Sequence, residues 1–330
     1  MSLPAIECIR RGAANARANW ELVLAHWVGV LATAILTIAG ILPFALVIGF
    51  AGFSGISAAR DAEQVEQWFQ EWATRVLGEL FTFSMPMVLA LIAALALGTL
   101  AMIVYCFFQA GLYGLLVAGD RQAPAGPVTA RSAPGASPPG DWRLFRTWSS
   151  ENFRGWGAHH VWRFFWFFNF ALLVLTLILA AFAVFIGLVA VGGQSWGAVT
   201  AIAVGCGSVL PLILLLLFFG LWTLVAQADL ASEESGVRLA SRRALRIVGR
   251  RFGGLLLIVG LGIIASIVLA MVFMPLSLMV SLVTRDGLIM GMVLRSLLAV
   301  VQWGVGGVIQ VGVAGSLVAL VRSELREMRA

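Results

Sequence analysis

Three histidines, His26, His159 and His160, are the first residues to test for chemistry. Imidazole ligates transition metals and exchanges protons near neutral pH. A metal or haem site would need such ligands to converge from different helices, each steadied by a partner on its other nitrogen. These three lie near the starts of apolar stretches and read as amphipathic interfacial residues, with no metal and no cofactor assigned. Cys8, Cys106 and Cys206 lack CxxC spacing and sit in or beside apolar segments. They read as small apolar side chains. No nucleophile elbow, Walker loop or metalloprotease pattern occurs, so no catalytic residue is assigned.

Uncharged polar residues inside apolar runs come next: Gln109, Asn169, Gln302 and Gln310. In hydrocarbon such groups turn toward neighbouring helices or line a path. Gln302 and Gln310 share a face of the last apolar stretch beside Gly304, Gly306, Gly307 and Gly312. Together with Gln109 they are candidates for a polar path or for interhelical hydrogen bonds. No stretch carries a carboxylate at its centre, which counts against proton- or sodium-coupled transport.

The charged residues form a clearer pattern. Arg238, Arg242, Arg246 and Arg250 recur every four residues on one helical face. Val237, Ala240, Ser241, Ala244, Leu245 and Val248 form an apolar and small face beside them. Such an arginine stripe next to a membrane either holds anionic headgroups, at about 1 kcal/mol per residue, or simply sets orientation. A second amphipathic segment is expected over about 61–80. There Trp68 and Trp72 share a face with Val65, Val76 and Leu80, as in a helix lying in the membrane interface or capping a bundle.

The elements that must carry these residues follow from composition. Of 330 residues, 61% are hydrophobic and 12% charged, against roughly 45–50% and about 25% in soluble domains. That excludes a soluble globular enzyme, a disordered chain and a disulfide scaffold. A membrane helix needs about 20 apolar residues. Six stretches qualify, at roughly 22–53, 80–118, 161–191, 196–227, 252–283 and 288–321. Pro43, Pro86, Pro211 and Pro275 fall inside four of them and are expected to kink the spans. The first stretch exceeds the 7–15 residues of a signal-peptide core, so it is expected to stay as an anchor.

All 22 basic residues are arginine. Eighteen fall on one side of this six-span layout, while only Arg60, Arg75 and Arg285 fall in the opposite connections. The asymmetry predicts both termini in the cytoplasm of a bacterial inner membrane. Tight external turns are expected at Gly192–Ser195 and Thr284–Gly287. The stretch 119–140 holds five prolines among Ala, Gly and Ser and reads as a flexible cytoplasmic linker. The organisation is then 1–118 with the first hairpin, the linker, and 141–330 with two more hairpins. Arg10, Arg143 and Arg242 each precede an aromatic residue (Trp20, Phe153, Phe252) by ten positions. This suggests three repeated units, each a cytoplasmic amphipathic helix followed by a membrane hairpin.

The run from Glu234 to Phe252, following Ala226-Gln227-Ala228-Asp229, resembles the cytoplasmic linker of a group of bacterial six-span proteins. These include the membrane domain attached to some glycerophosphodiester phosphodiesterases and related stand-alone membrane proteins. The likeness covers about 25 residues and implies the same six-span fold. These 330 residues contain no soluble phosphodiesterase domain, so the resemblance brings no hydrolytic activity and no catalytic residue.

The fold class expected is all-α, a polytopic membrane protein of six transmembrane helices in three hairpins. The function read first is a non-enzymatic scaffold or accessory protein. It would contact membrane lipids, anionic headgroups among them, or a membrane-protein partner, and not nucleic acid. The alternative is a transport component, such as a permease-like subunit or a lipid-moving protein; a membrane-embedded enzyme comes last.

Overall fold

The computed structural model describes residues 3–56, 85–123, 142–233, 236–283 and 288–329, with isolated positions 70, 71, 74 and 78. Among the described residues the chain is helical, with no strand. The elements are α1 (Ala5–Ala18), α2 (Glu21–Ile56), α3 (Met85–Gln122), a 3-10 turn (Trp142–Phe145), α4 (Ser150–Trp196), α5 (Ala198–Ser232), α6 (Val237–Val283) and α7 (Leu288–Arg329). Six of them, α2 to α7, are long and apolar enough to cross a membrane. The protein is an all-α, multi-pass membrane protein.

Long apolar runs become helices here because hydrocarbon offers no partner for a free backbone N–H or C=O. Their outward faces are leucine, isoleucine and valine, such as Leu177, Leu210 and Ile264, each more than half exposed. In water these would be sticky patches; in a bilayer they meet lipid.

Several boundaries differ from expectation. The turn between α4 and α5 is not at Gly192–Ser195, through which α4 continues. It falls at Gly197, whose φ of 86° is open to glycine and strained for other residues. Residues 119–122 belong to α3 rather than to the linker. Pro86 is the second described residue of α3. Pro43, Pro211 and Pro275 lie within their helices. The one residue with non-helical geometry reported within α6 is Arg251 (φ −121°, ψ 24°), well before Pro275.

Contacts divide the chain into two compact units, Met1–Trp27 with Cys106–Ala330, and Val28–Tyr105. This division falls within α2 and α3 and not at the proline-rich linker, most of which lies outside the described residues. In the smaller unit, Gly40 lets α2 approach α3, since a Cβ there would stand 3.2 Å from that of Leu97. The expected helix over 61–80, with Trp68 and Trp72, lies outside the described residues except for helical Gln70, Glu71, Thr74 and Gly78. The turn Thr284–Gly287 also lies outside them.

The larger unit is closed by glycines. A Cβ on Gly12 of α1 would meet the Ser316 backbone nitrogen of α7 at 2.3 Å, and one on Gly315 would meet the Gly12 Cα at 3.0 Å. The α1 and α7 backbones are therefore in direct contact. Gly262 brings α6 onto Val313 of α7 in the same way, and Gly157 of α4 seats the Phe107 ring of α3. Small residues at a crossing point let membrane helices pack this closely.

The three expected units are not built alike. α1 ends at Ala18, and Asn19 breaks the helix (φ −118°, ψ 48°) just before Trp20. α6 breaks at Arg251 just before Phe252. These breaks occupy the same place relative to Arg10 and Arg242. In the second unit the 3-10 turn stands where the others have a helix, and α4 then runs unbroken from Ser150 into its span.

Candidate functional site

α1 turns one line of polar residues inward, while Arg10 and Arg17 face out. Glu7, Arg11, Asn15 and, just past the helix, Asn19 recur every four residues, and all four are buried. Ile6, by contrast, is exposed. Burying such a line requires partners, and Arg11, Asn15 and Asn19 find them on other elements, while Glu7 pairs with Arg10 of its own helix. Arg11 Nε donates to Asp120 Oδ1 at 2.9 Å, and both side chains are 2% exposed. Arg322 of α7 donates to the other oxygen of the same carboxylate. The Arg11 guanidinium also stacks over the Phe145 ring at 5.4 Å. Asp120 thus ties α1, the end of α3 and α7 at one point. Charges taken this far from water hold only when paired and hydrogen-bonded.

Asn15 and Asn19 continue the line. Asn15 Nδ2 donates to the Leu116 carbonyl at 2.8 Å. Asn19 Nδ2 donates to the Phe145 carbonyl at 2.7 Å, while its Oδ1 accepts from the backbone N–H groups of Thr147 and Trp148, each at 2.9 Å. The helix break at Asn19 is what frees its side chain to clamp the 3-10 turn and the approach to α4. Arg146 completes the clamp, donating to the Ala18 carbonyl at 2.8 Å and to Glu21.

A second polar centre lies at the ends of α5 and α7. Glu233 accepts from Arg243 of α6 at 2.6 Å and from Arg329 of α7. Burial opposes its charge, but hydrogen bonds from Arg329 and Arg243 outweigh that and hold its carboxyl below the ordinary 4.5. Arg251, at the α6 break, donates to Glu324 of α7 at 2.6 Å. Cys8, beside the Arg11–Asp120 pair, is pushed up to about 12, chiefly by burial and then by the Asp120 charge. Its thiol is protonated at neutral pH and is no nucleophile.

The sequence candidates are distributed as follows. Arg238, Arg242, Arg246 and Arg250 are all exposed. The neighbouring Arg243 and Arg251, off the stripe, are the ones bound inward. Ala240, Ser241, Ala244 and Val248 form the buried face, but Leu245 is 48% exposed and Ile247 takes its place inside. Exposed Leu239 and Leu245 flank the arginine stripe. Gln109 is buried, and Gln310 Oε1 lies 2.6 Å from His26 Nε2, joining α7 to α2. Gln302 is half-buried. His159 and His160 pack edge to face, with His160 stacked on Trp156 at 5.1 Å. Among the described residues no group of three or more His, Cys, Asp or Glu side chains could hold a metal ion.

Two cavities stand out. An apolar groove of about 730 Å³ opens between α4 and α5, lined by residues such as Phe182, Phe185 and Pro211. A polar pocket of about 270 Å³ lies at the ends of α3, α5 and α7. Neither is lined by Gln109, Gln302 or Gln310.

Sequence reasoning passed over Asp120, Glu233, Glu324 and the α1 polar line. The available signal was the four-residue spacing of Glu7, Arg11, Asn15 and Asn19 beside the small residues Gly12 and Ala16. No protein family, curated protein or solved structure matches the chain.

Proposed function

We propose that the chain is a non-enzymatic accessory or scaffold protein of a bacterial inner membrane, with both termini in the cytoplasm, gripping anionic lipid through the first part of α6. The observation that carries this reading is the exposed stripe Arg238, Arg242, Arg246 and Arg250, interleaved with exposed Leu239 and Leu245. A helix of this kind lies at a membrane surface with its leucines dipped toward the acyl chains and its guanidiniums at the phosphates. The break at Arg251 supports it, because it lets this segment leave the line of the span that follows. The likeness of 226–252 to the linker of six-span bacterial membrane domains agrees with such a placement.

Protein purified in mild detergent should capture anionic liposomes and retain anionic lipid in preference to zwitterionic lipid. At about 1 kcal/mol per arginine, the variant with all four changed to Gln should lose up to roughly a thousandfold in that preference. Equal retention by the two proteins would leave the stripe as an orientation signal only.

A further inference from the structure

The polar pocket at the ends of α3, α5 and α7 is lined by Arg121, Ser232, Glu233, Arg322, Leu325, Arg326 and Arg329. Four guanidiniums therefore face one carboxylate, in a concavity of about 270 Å³. The carboxylate is spoken for, since Glu233 is shared between Arg329 and Arg243. Arg121 spends one nitrogen on the Ser232 carbonyl, at 2.5 Å. Arg322 spends one on Asp120. Among the described residues Arg326 reaches only its own helix, its Nε lying 3.4 Å from the Arg322 carbonyl. A guanidinium carries five N–H donors, so each of these three has donors beyond the bond just named. Ser232 adds a further feature: it is 6% exposed, and its hydroxyl has no hydrogen-bond partner among the described residues. A buried hydroxyl left unbonded is costly unless something outside the chain completes it.

Several guanidinium forks beside a hydroxyl match the oxygens of a phosphate group, with charge and with paired N–H···O bonds. The volume is below the roughly 300–1,000 Å³ of sites for drug-sized molecules, which suits a phosphate bearing at most a small substituent. Basic pockets between membrane helices are a known way of holding phosphorylated lipid heads.

We propose that this pocket binds a phosphate group, supplied either by the head of an anionic lipid or by a small soluble phosphate. The site does not involve the exposed stripe on α6, so it stands or falls separately from the lipid-surface reading. Arg121 and Arg326 grip the phosphate, Arg322 and Arg329 set the positive field, and Ser232 gives its hydroxyl to one oxygen.

The test uses the full chain, delipidated in detergent and titrated with inorganic phosphate against chloride at matched ionic strength. Saturable binding is expected with phosphate and not with chloride. Arg326→Gln, whose side chain bonds to no other element among the described residues, should bind about tenfold more weakly, and Arg121→Gln with Arg326→Gln weaker still. Ser232→Ala should also weaken binding, and Arg154→Gln, at an exposed position of α4 outside the pocket, should leave it unchanged. In nanodiscs, phosphatidate that displaces phosphate identifies a lipid head as the source; phosphate that binds equally with and without phosphatidate identifies a soluble one. Unfolding midpoints without phosphate separate loss of binding from loss of fold, and Arg326→Lys, which keeps charge but loses the fork, should restore only part of the affinity. No saturable phosphate binding in detergent or bilayer, or full affinity in folded Arg326→Gln, overturns the proposal and leaves these arginines as partners of Asp120, Glu233 and the helix C-terminal carbonyls.

Discussion

Asp120 carries more of the structure than any arginine around it, because two guanidiniums from α1 and α7 converge on its two oxygens. Removing one member of a buried ion pair costs about 3–5 kcal/mol, since the charge left behind keeps its desolvation penalty. Asp120→Ala should therefore lower the thermal midpoint of the detergent-solubilised protein far more than Glu21→Ala, whose Arg146 partner is 44% exposed. Equal midpoints for the two variants would contradict this. Glu233 makes a pH-dependent contribution of definite sign. Its pKa is below 4.5 in the folded protein, so its bridges add stability above about that pH and lose it as the pH falls through the lowered value. The midpoint gap between wild type and Glu233→Gln should be full at pH 7 and shrink as the pH falls below 4.5; a gap that widened with acid would reverse the assignment.

At the level of elements, the close approach of α1 to α7 depends on Gly12. A methyl group there would stand 2.2 Å from Ser316 Oγ and 2.3 Å from the Ser316 nitrogen, and backbone cannot give way as a flexible side chain can. Gly12→Ala should cost about 1–3 kcal/mol by overpacking, read as a lower unfolding midpoint, while Gly155→Ala, in open space, should cost little. Much of the element layout was legible in the sequence. A bilayer demands runs of about 20 apolar residues, and those runs found α2 to α7, although α4 begins at Ser150 and α6 at Val237, well before the apolar runs start, and α7 continues past its run to Arg329. The orientation of α1 was not legible. A polar residue every fourth position normally marks a wet face; here Asp120, Leu116 and the 145–148 backbone, with α7 packed at Gly12, turn that face inward. Those partners lie more than a hundred residues along the chain, so no local pattern announces them. The α6 stripe was legible because its polar face really is outside. Its inward arginines, Arg243 and Arg251, were not, since their acids come from α5's end and from α7.

For the molecule as a whole, the paired arginines sharpen the argument from charge asymmetry. Arg11, Arg146, Arg243, Arg251, Arg322 and Arg329 bridge carboxylates at one end of the helices, so that end is a built polar structure as well as a charge signal. The proposed orientation puts it in the cytoplasm. A reporter that is active only outside the cytoplasm should work when fused after Gly78 and fail when fused after Gln122. The opposite result would invert the topology.

The bond from Arg11 to Asp120 spans 109 residues, and that from Asp120 to Arg322 spans 202 more. α1 is made before α7 yet rests on it. Until α7 leaves the ribosome, α1 has neither its glycine seat on Gly315 nor the second guanidinium that completes the Asp120 site. The order of synthesis and the order of assembly are therefore opposed. The polar line of α1 meets its partners in 116–148 early, while its glycine packing has to wait for α7.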